Sequence, residues 1–318
     1  MMPALNTRTA GVVDAILSTH ARGYRNLEFV SQALFPRVPV PSRNMRVIRF
    51  GKEGFRMIST RRAPGANVKR VQYGYASDPI SLVQDALEGV VPVEHQQEAE
   101  GAPGVDLGAG AIDMVMGVVD LGLEYEAARI ARDVNTYAAS NRAALAGTSR
   151  WTSATSKPLS DVRAAREVIR RNIGRYPNVL QLGPTAANAL VDHPSVREQF
   201  KYTTKESITV DMLAAYFDVE KVVVGKGVYL PETALDTDAA TDIWGDDAIL
   251  AYVPQQGQAY GAPSYGYTYE LEGYPQVEEP YYDRPTKSWI YPTTVERRPY
   301  VVGADAGFLF QSAGAPAA

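Results

Sequence analysis

The stretch from Gly117 to Gly147 constrains the fold of this chain more than any other part of the sequence. Its apolar residues recur at spacings of three and four, and charged residues occupy the other positions, as an amphipathic helix requires. The apolar positions are Val119, Leu123, Ala127, Ile130, Val134 and Tyr137, and the charged positions are Glu124, Glu126, Arg129, Arg132 and Asp133. No proline lies in this stretch, so a helix of roughly 40 Å is possible at about 1.5 Å per residue. We therefore predict one long helix over residues 118–146, around which the other elements are arranged.

The residue composition excludes several kinds of functional site. The 318 residues include no cysteine, which excludes disulfides, thiolate metal sites and a cysteine nucleophile. Only three histidines occur, His20, His95 and His193, and they lie far apart in the sequence. The sequence therefore predicts no cofactor and no metal site.

The sequence shows neither a signal peptide nor a membrane-spanning segment. The first twenty residues lack the basic start and the uninterrupted apolar core of a signal peptide. No run of apolar residues approaches the length that a transmembrane helix needs, which is about 18 residues or more. We expect a soluble protein that acts where it is made, or after it has assembled there.

The formal net charge of −4 conceals a strong separation of charge along the chain. Residues 37–75 carry ten basic residues and the single acid Glu53, and residues 228–283 carry eleven acids and no lysine or arginine. The basic set is Arg37, Arg43, Arg46, Arg49, Lys52, Arg56, Arg61, Arg62, Lys69 and Arg70. Such an asymmetry of charge says more about the partners of a protein than about its fold, because the basic arm of one copy can pair with the acidic surface of another.

The first part of the chain predicts an arm followed by a long excursion. Residues 1–36 contain a weak helical pattern and a short second helix that prolines terminate. Residues 37–80 form an extended loop, in which residues 44–50 are a predicted strand and residues 68–75 its returning partner. An isolated ribbon of two strands is marginally stable in water. We therefore expect the loop to need a neighbouring molecule, and a flexible basic loop is the alternative.

The remaining segments predict a mixed α/β arrangement. Residues 81–173 contain a short helix near Leu82–Leu87 and the long helix. Residues 174–283 contain helices and short strands, including PNVLQLG and VEKVVVGKGVYL, that form a compact α/β unit. Residues 284–318 contain a last strand that returns towards the long helix, followed by a mobile tail.

The motifs that could support catalysis or ion binding are weak. Ser264 lies in APSYG, which differs from the nucleophile elbow by an alanine for the first glycine and by a proline in place of strand geometry. The aspartates at 236, 238, 242, 246 and 247 could gather calcium, but the run lacks the glycine and terminal glutamate of an EF-hand loop. We predict that the protein is not an enzyme.

Nucleic-acid binding by residues 37–75 is an alternative interpretation. Phe50, Phe55, Tyr73 and Tyr75 lie among the basic residues, and such a mixture can grip phosphates and stack bases. The acidic total and the lack of any known nucleic-acid-binding motif argue against it.

The order of segments resembles the major capsid proteins of tailed bacteriophages, which share the Hong Kong 97-type fold with encapsulin compartments. The resemblance rests on an ordered set of segments between about Asn26 and Tyr300. These segments are NLEFVSQALFPRVPV, TRRAPGANVKRVQYGYAS, LGLEYEAARIARDV, PNVLQLGPTAANALVDHPSVREQFKY, IWGDDAILAYVP and PSYGYTY. The resemblance implies an α+β fold with an N-terminal arm (1–36), an extended loop (37–80), a peripheral domain with a spine helix (81–173), an axial domain (174–283) and a return strand (284–318).

The resemblance also implies a function and partners. Many copies would form hexamers and pentamers of an icosahedral shell around packaged double-stranded DNA, without sequence-specific DNA binding. A separate scaffold protein, a portal and a decoration protein would be further partners, and the shell would assemble in the host bacterial cytoplasm and become part of the virion. An encapsulin-like compartment is the alternative within this fold. Contacts between subunits are expected from Arg46, Arg49, Arg56, Arg61, Arg62, Lys69 and Arg70.

Overall fold

The computed structural model describes residues 13–49, 57, 59–64, 67–68, 70, 76–99, 106–201, 208–235, 237–254 and 264–316. Two large sheets, two smaller sheets of two strands each and seven α-helices make up most of its regular structure within these ranges. The helices are α1 (Ala15–Gly23), α2 (Val93–Ala99), α3 (Leu107–Arg132), α4 (Pro158–Ile173), α5 (Pro184–Asp192), α6 (Pro194–Phe200) and α7 (Val210–Phe217). The first strands are β1 (Arg37–Val40), β2 (Asn44–Arg49), β3 (Ala76–Ser81), β4 (Val83–Pro92), β5 (Arg142–Ala144), β6 (Val179–Leu182), β7 (Lys221–Val224) and β8 (Val228–Tyr229). The later strands are β9 (Thr241–Asp242), β10 (Ala248–Ala251), β11 (Gly266–Leu271), β12 (Gln276–Val277), β13 (Tyr281–Asp283), β14 (Ser288–Val301) and β15 (Gly307–Gln311).

The larger sheet has six strands and is built around β14. Strand β4 runs antiparallel to β14 over ten residues, from Val83 opposite Arg297 to Pro92 opposite Ser288. Strands β11, β12 and β13 also pair antiparallel with β14, and β1 adds to β11 in parallel. Helix α3 packs on β4 and β14 through Ile112, Val115 and Met116, which are buried with Val295.

The smaller sheet has five strands in the order β5-β15-β10-β6-β7. Strands β6 and β7 are parallel, and so are β15 and β5, whereas β10 is antiparallel to both of its neighbours. All four residues of β6 and of β10 are buried. The main hydrophobic core surrounds this sheet and includes Trp151, Phe217 and Phe310.

The predicted long helix exists, but its bounds differ from the predicted 118–146. Helix α3 begins at Leu107, because the carboxylate of Asp106 accepts a hydrogen bond of 3.0 Å from the backbone nitrogen of Ala109. It ends at Arg132, because Asp133 has extended backbone and its carboxylate accepts a bond of 2.9 Å from the Asn135 nitrogen, opening a new turn. Part of the predicted helix is therefore β5, which joins the five-stranded sheet.

Two further predictions about local structure were wrong. The predicted helix near Leu82–Leu87 is part of strand β4, whose long antiparallel pairing with β14 overrides the local propensity. The partner of β2 is β3, with Asn44 opposite Ser81 and Arg49 opposite Ala76, and not the predicted segment 68–75. Most of that segment lies outside the described residues.

The predicted segment boundaries do not follow the division of the strands between the two large sheets. Strand β1 was assigned to the extended loop, and β11 to the α/β unit, yet both belong to the six-stranded sheet. The predicted tail is tied down: β15 is an inner strand, Ala313 and Ala315 are buried, and the backbone nitrogen of Gly314 donates to the carbonyl of Asp246 at 2.8 Å. Burial of this kind is incompatible with a mobile tail up to residue 316.

Candidate intersubunit surface

The base of the extended loop is a two-stranded ribbon that the six-stranded sheet holds in place. Val47 on β2 and Ile80 on β3 pack against the six-stranded sheet, and only 4% of the surface of each residue is exposed. Their partners are residues of β1 and β11 and one residue beyond β14, namely Val38, Val40, Tyr267, Tyr269 and Val302. An isolated ribbon has too little apolar surface to fold, and this cluster supplies what the ribbon lacks.

Polar contacts fix the same ribbon to β14. Arg43, just before β2, pairs with the buried carboxylate of Glu296, and this hydrogen bond raises the pKa of Arg43. The hydroxyl of Tyr300 donates to Asp78 at 3.3 Å, and the guanidinium of Arg298 donates to the carbonyl of Ser81 at 3.2 Å. The base of the loop is therefore rigidly oriented relative to the sheet.

Beyond the ribbon, the described side chains of the loop point into solvent. Arg61, Arg62 and Arg70 are exposed and make no ion pair with any residue that the structure describes. Two apolar residues of the loop, Met57 and Val68, are 104% and 68% exposed. A loop that presents uncovered apolar and basic side chains has the chemistry of a contact surface.

The seven predicted contact residues are only partly described. Arg46 is exposed on β2, and Arg61, Arg62 and Arg70 lie on the loop beyond it. For Arg49 the structure describes only the backbone, which pairs with Ala76. Arg56 and Lys69 lie outside the described residues. We call Arg46, Arg61, Arg62 and Arg70, with Met57 and Val68, the loop surface.

The acidic residues of 228–283 do not form one surface. Asp247 pairs with Arg132 at 2.7 Å, and Glu270 lies 3.7 Å from Arg37, so both are used inside the molecule. The exposed members fall into two groups on different parts of the fold. One group follows β8 and includes Glu232 and Asp238, and the other surrounds β12 and includes Glu272, Glu278 and Glu279.

An ionic cluster joins α3 to the six-stranded sheet. The guanidinium of Arg297, 1% exposed, donates to Asp120 at 2.5 Å and to the carbonyl of Val119 at 2.9 Å. Arg37 reaches the same carboxylate at 3.4 Å. Burial raises the pKa of the neighbouring Glu270 carboxyl, an effect that Arg37 and Arg297 oppose. These charges hold the long helix on the sheet and are not available to a partner.

The prediction that Glu124 faces solvent was wrong. The helical pattern assigned it to a solvent-facing position, but it is fully buried and accepts three hydrogen bonds. The donors are the backbone nitrogens of Val30 at 2.9 Å and Ser31 at 2.8 Å, and the indole of Trp244 at 2.6 Å. Asp120 and Glu124 are four residues apart within an otherwise apolar run, and this spacing is the signal that could have indicated one shared buried face.

Among the residues that the structure describes, the candidates for catalysis and metal binding are not brought together into a site. The Ser264 hydroxyl is buried and donates to the Gly266 carbonyl at 3.3 Å. His20 pairs with Asp113, and His193 contacts Ser156 at 3.1 Å and Ser195 at 2.7 Å. Within the described part of the chain, no group of three or more potential ligands is arranged to hold a metal ion. The same residues contain no helix that is long and apolar enough to cross a membrane.

Comparison with known proteins decides the family. Residues 132–312 match the family model described as phage major capsid protein E. The major capsid protein of Burkholderia phage BcepMu is 37% identical over 303 residues, which cover 94% of this chain and 95% of that protein. The chain belongs to the phage major capsid protein family. A second major capsid protein, from Pseudomonas phage JBD67, is 24% identical over 80% of this chain and 82% of its own length.

Several solved structures share the fold of this chain. A phage-related protein from Bordetella bronchiseptica RB50 is 45% identical to this capsid protein and superposes with a TM-score of 0.82, covering 97% of this chain and all of that one. The capsid of cyanophage P-SCSP1u is 12% identical, with a TM-score of 0.56 and coverage of 97% and 92%. The SrpI encapsulin of Synechococcus elongatus PCC 7942 is 13% identical, with a TM-score of 0.52 and coverage of 98% and 96%.

The last two likenesses concern the fold alone, because their identities are low. They confirm the predicted α+β fold of the Hong Kong 97 type. The predicted resemblance to phage major capsid proteins is likewise confirmed, and the protein is a structural component of a phage capsid shell.

Proposed function

We propose that many copies of this protein assemble, through the loop surface, into the icosahedral shell that encloses phage double-stranded DNA. The observation that carries the proposal is the loop surface itself. It extends from a rigid base and presents Arg61, Arg62 and Arg70 together with the apolar Met57 and Val68, all of which are exposed within the described part of the chain. Shell formation supplies a cover, because the surface of an adjacent copy buries what one copy leaves exposed.

In this proposal the loop lies across a neighbouring subunit. Arg46, Arg61, Arg62 and Arg70 contact acids of the adjacent copy, and Arg49, Arg56 and Lys69 belong to the same predicted set. The exposed acids after β8 and around β12 are the candidate partners. Each exposed pair contributes only about 0–1 kcal/mol, so the contacts act through their repetition around the shell and through the register that they impose.

The remaining features follow from the same proposal. The five-stranded sheet with its helices is the axial domain at the centre of hexamers and pentamers, and the six-stranded sheet with α3 is the peripheral domain. A separate scaffold protein, a portal and a decoration protein are the expected partners, and packaged DNA is contacted without sequence specificity. The protein is not an enzyme, assembles in the host bacterial cytoplasm and remains in the virion.

Negative-stain electron microscopy of the purified protein tests the proposal, with the protein alone and with a candidate scaffold. Closed shells or rings of the size of a capsomer are the expected result. A chain that stays monomeric under every condition and binds DNA in a strongly salt-dependent manner would instead support the nucleic-acid alternative. Shells that contain cargo enzymes in place of DNA would support the compartment alternative.

A further inference from the structure

Strand β4 forms an open edge of the six-stranded sheet. All ten of its residues pair with β14, and no other strand that the structure describes pairs with it. Strands are most often about five to six residues long, and folded proteins usually shorten, bulge or cover an edge, because its unpaired backbone groups can bind another chain. The register of β4 is continuous without a bulge, and its one proline, Pro92, is its last residue. An edge of this length is unusual for a surface that meets only water.

The backbone groups that β4 leaves unpaired can be assigned from its register. The nitrogen of Val93 donates to the carbonyl of Lys287 at 3.1 Å, which continues the pairing of β4 and β14 by one residue. Odd-numbered residues therefore direct their N–H and C=O groups towards β14, and even-numbered residues direct theirs outward. No described residue bonds to these outward groups. They belong to Gln84, Ala86, Glu88 and Val90.

This row of backbone groups determines the conformation of a partner. The N–H and C=O groups follow one another along the edge at the spacing of a strand, so an extended segment can bond to all of them, as in strand addition. Val83, Leu87 and Val90 on the same strand are 45%, 41% and 56% exposed, so a partner with apolar side chains would cover them. The edge is therefore complementary to an extended and partly apolar segment.

The side chains of β4 determine the charge that suits this partner. Asp85 and Glu88 are exposed, and the strand has no lysine, arginine or histidine. Two copies of β4 placed edge to edge would bring all of these carboxylates to one seam, and their repulsion opposes self-pairing. The same acids attract a basic strand.

The loop surface of a second copy contains a segment with this chemistry. Residues 57–62, MISTRR, combine an apolar residue, two β-branched residues and two arginines. Met57, Arg61 and Arg62 are exposed, and within the described part of the loop no strand pairs with them. These residues are therefore available to another copy.

One antiparallel register matches charge and apolar surface together. When Arg62 is opposite Asp85, Met57 is opposite Val90, because the two strands run in opposite directions. Residues 57, 59 and 61 then bring their N–H and C=O groups to the outward groups of β4. Pro64 lies two residues beyond Arg62 and ends the pairing near the start of β4, since proline has no N–H to donate.

We propose that residues 57–62 of one copy bind to the open edge of β4 of an adjacent copy as an added antiparallel strand. In this arrangement Arg62 faces Asp85, and Arg61 lies diagonally beside Glu88. The inference rests on the proposed function, because it names a partner of the loop surface. It goes further in two respects, since these acids lie outside residues 228–283 and since backbone pairing fixes the register of the contact.

The first test uses the unassembled full-length chain and a fluorescent peptide with the sequence of residues 55–64, FRMISTRRAP. Binding is measured by fluorescence anisotropy. One modified peptide carries N-methyl groups at residues 57, 59 and 61, whose N–H groups face β4 in the proposed register. The control peptide carries N-methyl groups at residues 58, 60 and 62, whose N–H groups face away from β4.

We expect the unmodified peptide and the control peptide to bind. The peptide methylated at 57, 59 and 61 should bind more weakly by about tenfold or more, because each methyl group removes a donor and keeps the strands apart. Equal binding of the two methylated peptides would overturn the proposal. Absence of binding of the unmodified peptide at millimolar concentration would do the same.

Variants of the chain test the charges, and circular dichroism confirms that each is folded. Asp85→Lys combined with Glu88→Lys should weaken binding by about tenfold or more, as a loss of about 1.4 kcal/mol implies. Glu28→Lys combined with Glu198→Lys makes an equal change of charge at exposed positions elsewhere and should leave binding nearly unchanged. A peptide with Arg62→Glu should recover binding to the single variant Asp85→Lys. Unchanged binding by the β4 variant, or an equal loss in the control, would contradict the proposal.

The outcome is separable from that of the proposed function. Peptide binding is measured without assembly, so a peptide that does not bind overturns strand addition and leaves shells in electron micrographs as evidence for the proposed function. The expected pattern of peptide binding, from a chain that never forms shells, would support strand addition and count against the proposed function alone.

Discussion

The indole nitrogen of Trp244 donates a hydrogen bond of 2.6 Å to the carboxylate of Glu124. Trp244 belongs to the turn that leads into β10 of the five-stranded sheet, and Glu124 lies near the middle of the helix that packs on the six-stranded sheet. The same carboxylate also accepts the backbone nitrogens of Val30 and Ser31. One buried side chain thus connects three separate parts of the chain.

Replacement of this carboxylate should destabilise the fold strongly. In Glu124→Ala three donors lose their acceptor, two of them buried, and each buried unpaired donor costs about 1–3 kcal/mol. We expect the free energy of unfolding of the unassembled chain to fall by about 3 kcal/mol or more, as measured by urea denaturation. The exposed Glu28→Ala is the control, and we expect it to change stability by less than about 0.5 kcal/mol. Equal stability of Glu124→Ala and the native chain would contradict this assignment.

The pair formed by Arg297 and Asp120 should show strong coupling. Arg297→Ala leaves the buried Asp120 with only the longer contact to Arg37, and breaking a buried ion pair costs about 3–5 kcal/mol. The double replacement Asp120→Leu with Arg297→Met removes both charges and should cost clearly less than Arg297→Ala. Urea denaturation of Asp120→Leu, of Arg297→Met and of the double variant measures the coupling energy. Additive effects of the single changes would show that the pair does not act as a unit.

Two glycines should respond in opposite directions to the same substitution. A Cβ atom at Gly183 would overlap the carbonyl oxygen of Gly245, which is backbone and cannot move aside easily, so Gly183→Ala should destabilise the five-stranded sheet. A Cβ atom at Gly122 on α3 meets nothing within 4 Å, so Gly122→Ala should stabilise the helix by about 0.5–1 kcal/mol. Thermal unfolding of both variants by circular dichroism gives the sign of each effect. The same sign for both would contradict the packing described here.

Reversal of the loop charges should affect assembly and not folding. Arg61→Glu combined with Arg62→Glu places repulsive charges on an exposed loop, so the monomer should keep its circular dichroism spectrum and its unfolding midpoint. Shells should be absent in negative-stain micrographs. The control is Arg163→Glu with Arg171→Glu, an equal change of charge on the exposed side of α4. Normal shells from the loop variant, or an equal block from the control, would argue against specific loop contacts.

Periodicity predicted the long helix because its core-facing residues, such as Val119, Leu123 and Ala127, are buried as the pattern requires. It missed the first eleven residues of the helix because of their glycines. Glycine usually disfavours a helix. In α3, however, Tyr291 occupies the space that a side chain at Gly108 would need, and Tyr24 does the same at Gly117. Such compensation is tertiary and is not visible in a local pattern.

The misplacement of Glu124 and of the return strand has a similar origin. A charged residue is placed outward by default, and only the donors from Val30, Ser31 and Trp244 make its burial possible. For β3, the sequence ASDPIS includes a proline, which disfavours a strand interior, yet a ribbon of two strands has free edges on which Pro79 is tolerated. For the candidate contact surface, the run of basic residues marked the loop, whereas Met57 and Val68 carry no charge that could have marked them as part of it.

The position of β15 has a consequence for biosynthesis. This strand, residues 307–311, lies between β5 and β10, so the sheet that surrounds the main core cannot close until residues near the end of the sequence have left the ribosome. Contacts between residues this distant in sequence also form slowly. A chain whose synthesis stops before this strand would leave β5 without its partner in this sheet and one edge of β10 open, and such open edges pair readily with other chains. A copy whose synthesis stops before residue 307 therefore lacks the closed core from which a shell could be built.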